Sequence, residues 1–184
     1  MSETWIYEDE LINVESFQLK AFMNKTLKSK NDQQERKASG VAIYRNLNSV
    51  ADCTPIHFTV HNTRRLQDTG TGDICMTDIT INGQSRCILS SVHIHPGVDA
   101  SHLKMFLFSA LIKYSETSLL IDEECHIDKD VPIIVMGDFN ADIKRNEKAF
   151  GFMKKHFDLN MVPTNYPSTL GNSYQLFIQL LQET

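Results

Sequence analysis

The stretch "DICMTDITINGQSRCILSSVHI", Asp73 to Ile94, restricts the fold of this chain more than any other. Two runs rich in β-formers flank Asn82-Gly83, and an Asn-Gly pair readily supplies the two positive φ angles of a tight hairpin turn. The expectation is an antiparallel hairpin. Its second arm puts Ile88, Ser90 and Val92 on one side and Cys87, Leu89, Ser91 and His93 on the other, so both sides can be covered. That marks an inner strand.

Further elements fall on either side of this hairpin. "GVAIYR" (Gly40 to Arg45) and "PIHFTVH" (Pro55 to His61) read as strands, the second from its alternation of Ile56, Phe58 and Val60 with His57, Thr59 and His61. Residues 8–39 are polar and charged without a sustained apolar period, which predicts a partly helical or mobile surface excursion ahead of the core. Beyond "HPGVDAS", Leu103, Phe106, Leu107, Ala110, Leu111 and Tyr114 recur at helical spacing, predicting a helix over 101–115 capped by Asp99 or Ser101. Met105, Phe108 and Ile112 on its other side suggest a covering loop or second sheet. An apolar strand over 132–136 follows an acidic loop. A second helix near 145–156 would turn Phe150, Met153 and Phe157 inward. Strands and helices thus interleave, as in an α/β or α+β domain.

The totals fit one such domain. A chain of 184 residues, 41% hydrophobic and 22% charged, is long enough for a single well-formed core. Its net charge of -5 has the wrong sign for gripping nucleic acid over the whole surface, so phosphate binding would be local. Arg64-Arg65, Lys144-Arg145 and Lys154-Lys155-His156 are the basic candidates, and solvated faces are the plainer reading of them. Cys53, Cys75, Cys87 and Cys125 form no C-x-x-C and read as free thiols, mostly buried. With neither a leader nor an apolar run approaching the ~18 residues that span a bilayer, the expectation is an intracellular protein with no membrane partner.

Chemistry concentrates in "VPIIVMGDFNADI", residues 131–143. Ligands of α/β sheets collect where strands end, and here an apolar strand runs into Gly137, Asp138, Phe139 and Asn140. Extended geometry would put Asp138 and Asn140 on one face, with Phe139 turned into the core and Gly137 admitting close backbone approach. A carboxylate there can take a proton from water or hold a hard cation, and the amide can donate to an oxyanion. The other reading is an Asp-x-Asn turn that only satisfies backbone donors after a strand. A zinc site made by His93 and His95, with His102 from the following helix, is a further alternative.

"MGDFN" after an apolar strand resembles the signature of the endonuclease/exonuclease/phosphatase superfamily, the metal-dependent phosphoesterases related to DNase I and the apurinic endonucleases. Other segments match in order. "SETWI" resembles the segment bearing that family's metal-binding glutamate, which falls on Glu3. "SGVAIYRN" resembles a strand of mobile-element endonuclease domains. "SSVHIHPG" resembles the strand leading to a Tyr or His near the scissile phosphate, which falls on His93. "FGFMKKHFDLNMV" and "PSTLGNS" resemble the later stretch of LINE-type retroelement nucleases and of nucleases fused to Helitron-type helicases, where Thr169 would line the substrate groove or serve only a turn.

The resemblance implies a DNase I-like four-layer sandwich of two mixed β-sheets flanked by helices. It further implies Mg²⁺ or Mn²⁺ held by Glu3 with other ligands, water activated by Asp138, and a phosphate oxygen bound by Asn140. The implied substrate is DNA, with RNA or another phosphoester as alternatives. The implied setting is the nucleus, in an element that also carries a helicase or reverse transcriptase. Two departures stand out: the family's first, asparagine-bearing strand is missing before Glu3, and no Ile-Asp or Ser-Asp-His segment follows "TLGNSY". The expectation is an incomplete domain, either a Mg-dependent endonuclease impaired by truncation or a catalytically inactive nucleic-acid-binding remnant.

Overall fold

The structure, a computed structural model, describes residues 13–23, 40–57, 70–111, 131–140, 151, 154–155, 159–162 and 176–179. Within them lie strands β1 (Phe17–Met23), β2 (Val41–Asn46), β3 (Asp52–Ile56), β4 (Gly72–Ile81) and β5 (Gln84–Ile94). Helix α1 (Ala100–Leu111) follows, then β6 (Ile133–Asp138), β7 (Asn160–Val162) and β8 (Leu176–Gln179). β1 and β2 pair antiparallel as a small sheet, and the other six strands run in the order β3-β4-β5-β6-β8-β7. The larger sheet is mixed: β5 and β6 are parallel and all its other pairings antiparallel. At this level the chain is an α+β domain with two sheets.

The Asn-Gly hairpin forms as its sequence dictates. Asn82 and Gly83 have φ of 54° and 76°, the two positive angles that match the twist of the flanking strands. β4 and β5 pair from Ile81 and Gln84 out to Gly72 and Ile94, with one register shift between Ile79 and Thr80. β5 is an inner strand, held by β4 on one side and β6 on the other.

Its two faces bury different things. Ile88, Val92 and Ile94 join Ile74 and Met76 of β4, Ile133 and Val135 of β6, and the inward stripe of α1 in the main apolar cluster. That stripe is Leu103, Phe106, Leu107, Ala110 and Leu111, all buried as their spacing predicts. On the other face Cys75 of β4 meets Ala21, Val41 and Ile43 of the small sheet, with Met23 and Leu89 packed alongside. The larger sheet therefore lies between α1 and the small sheet.

α1 begins one residue earlier than expected because Asp99 is its cap. Asp99 Oδ1 accepts the backbone N–H groups of Ser101 (2.8 Å) and His102 (3.0 Å). These bonds, with that of His102 first in weight, hold the Asp99 carboxyl below its ordinary range. Residues 112–115 of the expected helix lie outside the described residues. The expected cover on its far side does not extend to Met105, which is 57% exposed, although Phe108 packs on the core edge.

One expectation is corrected by pairing. Phe17–Met23, read as part of a mobile or helical excursion, is strand β1. Its apolar alternation of Leu19, Ala21 and Met23 is short and crossed by Lys20, and a bulge between Leu19 and Ala21 disturbs the period further. Of the strand expected over Pro55 to His61, Pro55 and Ile56 belong to β3, which begins earlier, at Asp52. Pro55 is tolerated because β3 is an edge strand, so a missing N–H need not break a ladder. His57 is exposed past the strand end, and residues 58–61 lie outside the described residues. Lys20 and Arg45 reach Asp52 at 3.4 and 3.8 Å, a modest exposed tie between the small sheet and β3.

Of the second expected helix, residues 151, 154 and 155 are helical, and Lys154 and Lys155 are exposed. Phe150, Met153 and Phe157 lie outside the described residues. Leu176–Gln179 forms β8, which sits antiparallel between β6 and β7.

Candidate active site

The ends of β4, β5 and β6 meet at one level of the sheet. In the parallel ladder Val92 is opposite Gly137 and His93 opposite Asp138, while across the hairpin Asp73 is opposite His93. Register partners project to the same face, so Asp73, His93 and Asp138 form a row across three adjacent strands. It lies on the face that carries Cys75 and Leu89 toward the small sheet. His93 is 1% and Asp73 5% exposed, whereas Asp138 and Asn140 are half-buried at the strand exit.

Glycines let the strands close up here. A Cβ at Gly137 would overlap the Val92 carbonyl, and one at Gly72 would overlap the carbonyl of His93. Gly137 also has φ of 144°, a backbone state that side chains rarely adopt. Phe139, 1% exposed, is anchored in the main apolar cluster, as the alternation around it predicts.

Asn140 reaches the site differently from a residue on an extended chain. Its φ is 42°, so the backbone turns at this position rather than continuing the strand. Its N–H donates to Asp138 Oδ1 at 2.9 Å, closing an Asx turn, and Nδ2 donates to the Ile94 carbonyl at 2.9 Å. The carboxylate and the amide come together through that turn and through the end of β5. Asp138 Oδ2 and the second Nδ2 hydrogen make no hydrogen bond among the described residues.

The zinc alternative has no support in this arrangement. His93 and His95 touch edge to face, with ring centroids 5.5 Å apart. His102 instead has Nδ1 2.5 Å from Asp99 Oδ2. Among the described residues no three or more His, Cys, Asp or Glu side chains are grouped to hold a metal ion. The described donors thus offer a hard cation one carboxylate oxygen of Asp138 but no complete ligand set. Glu3, expected to supply a further ligand, and Thr169, expected in the groove, lie outside the described residues. Of the basic pairs only Lys154-Lys155 is described.

Cys53, Cys75 and Cys87 are free thiols, and Cys125 lies outside the described residues. Burial pushes all three up, Cys75 to about 12, so none is an activated nucleophile.

Sequence reasoning missed Asp73. Counting outward from the Asn-Gly turn without a bulge pairs Asp73 with Val92. The register shift at Ile79/Thr80 moves it opposite His93. A carboxylate on an otherwise apolar strand stem, "GDICM", was the available signal.

No family model matches the sequence, and no curated protein matches it.

Proposed function

We propose that this chain is a phosphodiesterase of the endonuclease type, with DNA as substrate and a divalent cation, Mg²⁺ or Mn²⁺, as cofactor. The observation that carries this reading is the placing of His93 beside Asp138 at a parallel strand exit, with Asn140 fixed to the neighbouring Ile94 carbonyl. Resemblance of the sequence to the endonuclease/exonuclease/phosphatase superfamily supports it, and the DNase I-like sandwich is the fold proposed with it.

In this reading Asp138 orients a water through its carboxylate and takes the water's proton as the water attacks phosphorus. Asn140 donates its remaining amide hydrogen to a non-bridging phosphate oxygen, while its bond to Ile94 keeps the amide plane fixed. His93, buried on the adjacent strand, backs Asp138 from beneath the exit rather than meeting solvent. Attack in line with the leaving oxygen releases an alcohol, such as a 3′-hydroxyl, and a phosphate monoester. A bound divalent cation would supply neutralisation of charge on the phosphate, with Glu3 among its ligands.

A second reading draws on the same hydrogen bonds. Asp138 and Asn140 make the bonds of an ordinary strand-terminating turn, which favours a nucleic-acid-binding remnant without catalysis. Supercoiled plasmid separates the two. The enzyme reading predicts nicking that needs Mg²⁺, stops with EDTA and is lost in Asp138→Ala. Plasmid binding without nicking in Mg²⁺ or Mn²⁺ would favour the remnant.

A further inference from the structure

β4 contributes more to the candidate site than a neighbouring strand. Gly72 lies against β5 so closely that a Cβ would overlap the His93 carbonyl and crowd the Ile94 Cα. The next residue, Asp73, is the direct register partner of His93 across the antiparallel ladder, where paired Cβ atoms are ~4.5–5.5 Å apart. Asp73 is nearly dry, and a carboxylate kept out of water needs compensating bonds. One is visible: Asp73 Oδ2 accepts the Gly40 N–H at 2.9 Å in a buried bond.

That bond joins the two sheets. Gly40 immediately precedes β2, is buried, and has φ of 105°, so the chain enters β2 from a fixed and unusual backbone position. The following Val41 is fully buried in the cluster between the sheets. The tie therefore sits at the level of the row Asp73, His93, Asp138 and not at a distant edge.

We propose that Asp73 is a positioning residue for His93: by holding the start of β2 over the row, it confines the imidazole beside Asp138. Its part in turnover rests on the phosphodiesterase reading, whereas its hold on His93 does not. The acceptor is what matters. An amide oxygen at the same reach can still take the Gly40 N–H, and a side chain without an oxygen cannot.

The test uses the full chain and two readouts. Asp73→Ala should lower kcat for Mg²⁺-dependent plasmid nicking by about 10- to 100-fold, the scale of a small misplacement, with KM little changed. Asp73→Asn should recover most of that rate. In long-range imidazole ¹H–¹⁵N spectra, His93, assigned by its loss in His93→Gln, should give one sharp set in the wild type and Asp73→Asn but broadened or doubled signals in Asp73→Ala. His93 signals unchanged in a folded Asp73→Ala would overturn the proposal, whatever the melting temperature does. If the wild type nicks nothing, the phosphodiesterase reading fails and the His93 signals still decide. If Asp73→Ala does not fold, Asp73→Glu takes its place, because its extra methylene displaces the acceptor. A His93 spectrum in Asp73→Glu identical to wild type would then overturn the proposal.

Discussion

β5 shows two opposed solutions on one strand. Toward α1 it presents Ile88, Val92 and Ile94 to a hydrocarbon cluster closed by Phe106 and Phe139. Toward the small sheet it presents Leu89, Ser91 and then His93, flanked in register by Asp73 and Asp138. The first face is held by area removed from water, and the second adds to a smaller apolar cluster around Cys75 and Leu89 a buried hydrogen bond from Gly40 to Asp73. The difference teaches where this fold is strong and where it is committed. The apolar face makes the sheet stable, so the other face can carry buried polar groups that a marginal core would not tolerate.

Mutations should separate the faces, beginning with the core. Phe106→Ala removes a fully buried ring from the α1 side and should lower unfolding free energy by about 3–5 kcal/mol in a urea titration. Met105→Ala, one residue earlier but exposed, should change it by less than ~0.5 kcal/mol. Equal losses would mean that α1 does not bury the stripe described. Gly137→Ala strikes the join of the two faces, adding backbone strain and overlap with the Val92 carbonyl. A cost of roughly 2–4 kcal/mol is expected in the same titration.

Smaller effects come from titration. The Cys75 thiol lies on the side facing the small sheet, and burial pushes it from 9.0 up to about 12. A group whose folded pKa is raised stabilises fully below its unfolded pKa, so this contribution should be complete below pH 9 and fade toward pH 12. In timed alkylation at pH 8, Cys75 should react after the half-buried Cys87, and the reverse order would place Cys75 nearer solvent. Asp99 has the opposite sign. Its carboxyl is held below 3.8, so its hold on the first turn of α1 persists above that value and is lost as acid takes pH through the lower folded value. Hydrogen exchange at Leu103 should show that acid loss in wild type and not in Asp99→Ala.

Much of the apolar face was legible in the sequence because its signals are local. Asn82-Gly83 fixes a turn, β-formers fix its arms, and the period of Leu103, Phe106, Leu107 and Ala110 fixes a helix face. The site was legible in part. Asp138, Asn140 and the inward Phe139 follow from strand alternation after an apolar run, and the turn at Asn140 does not, since a positive φ there depends on the bond to Asp138. Asp73 was hidden by one bulge, which shifts its partner from Val92 to His93. β1 was hidden by composition, because a strand that pairs along only one edge can carry Gln18, Lys20 and an exposed Phe22 among its inward residues. Non-local pairing leaves little trace in a single segment.

The polar row as a site of phosphodiester chemistry is tested most directly by Asp138→Asn, with hydrolysis rate and melting temperature measured side by side in Mg²⁺. The asparagine oxygen can still accept the Asn140 N–H, so the turn survives, while the charge that would take a proton from water is gone. The prediction is a fall in rate of about 10³-fold or more with an unchanged melting temperature. A variant that cleaves as fast as wild type, or a wild type that shows no metal-dependent cleavage, would contradict the account.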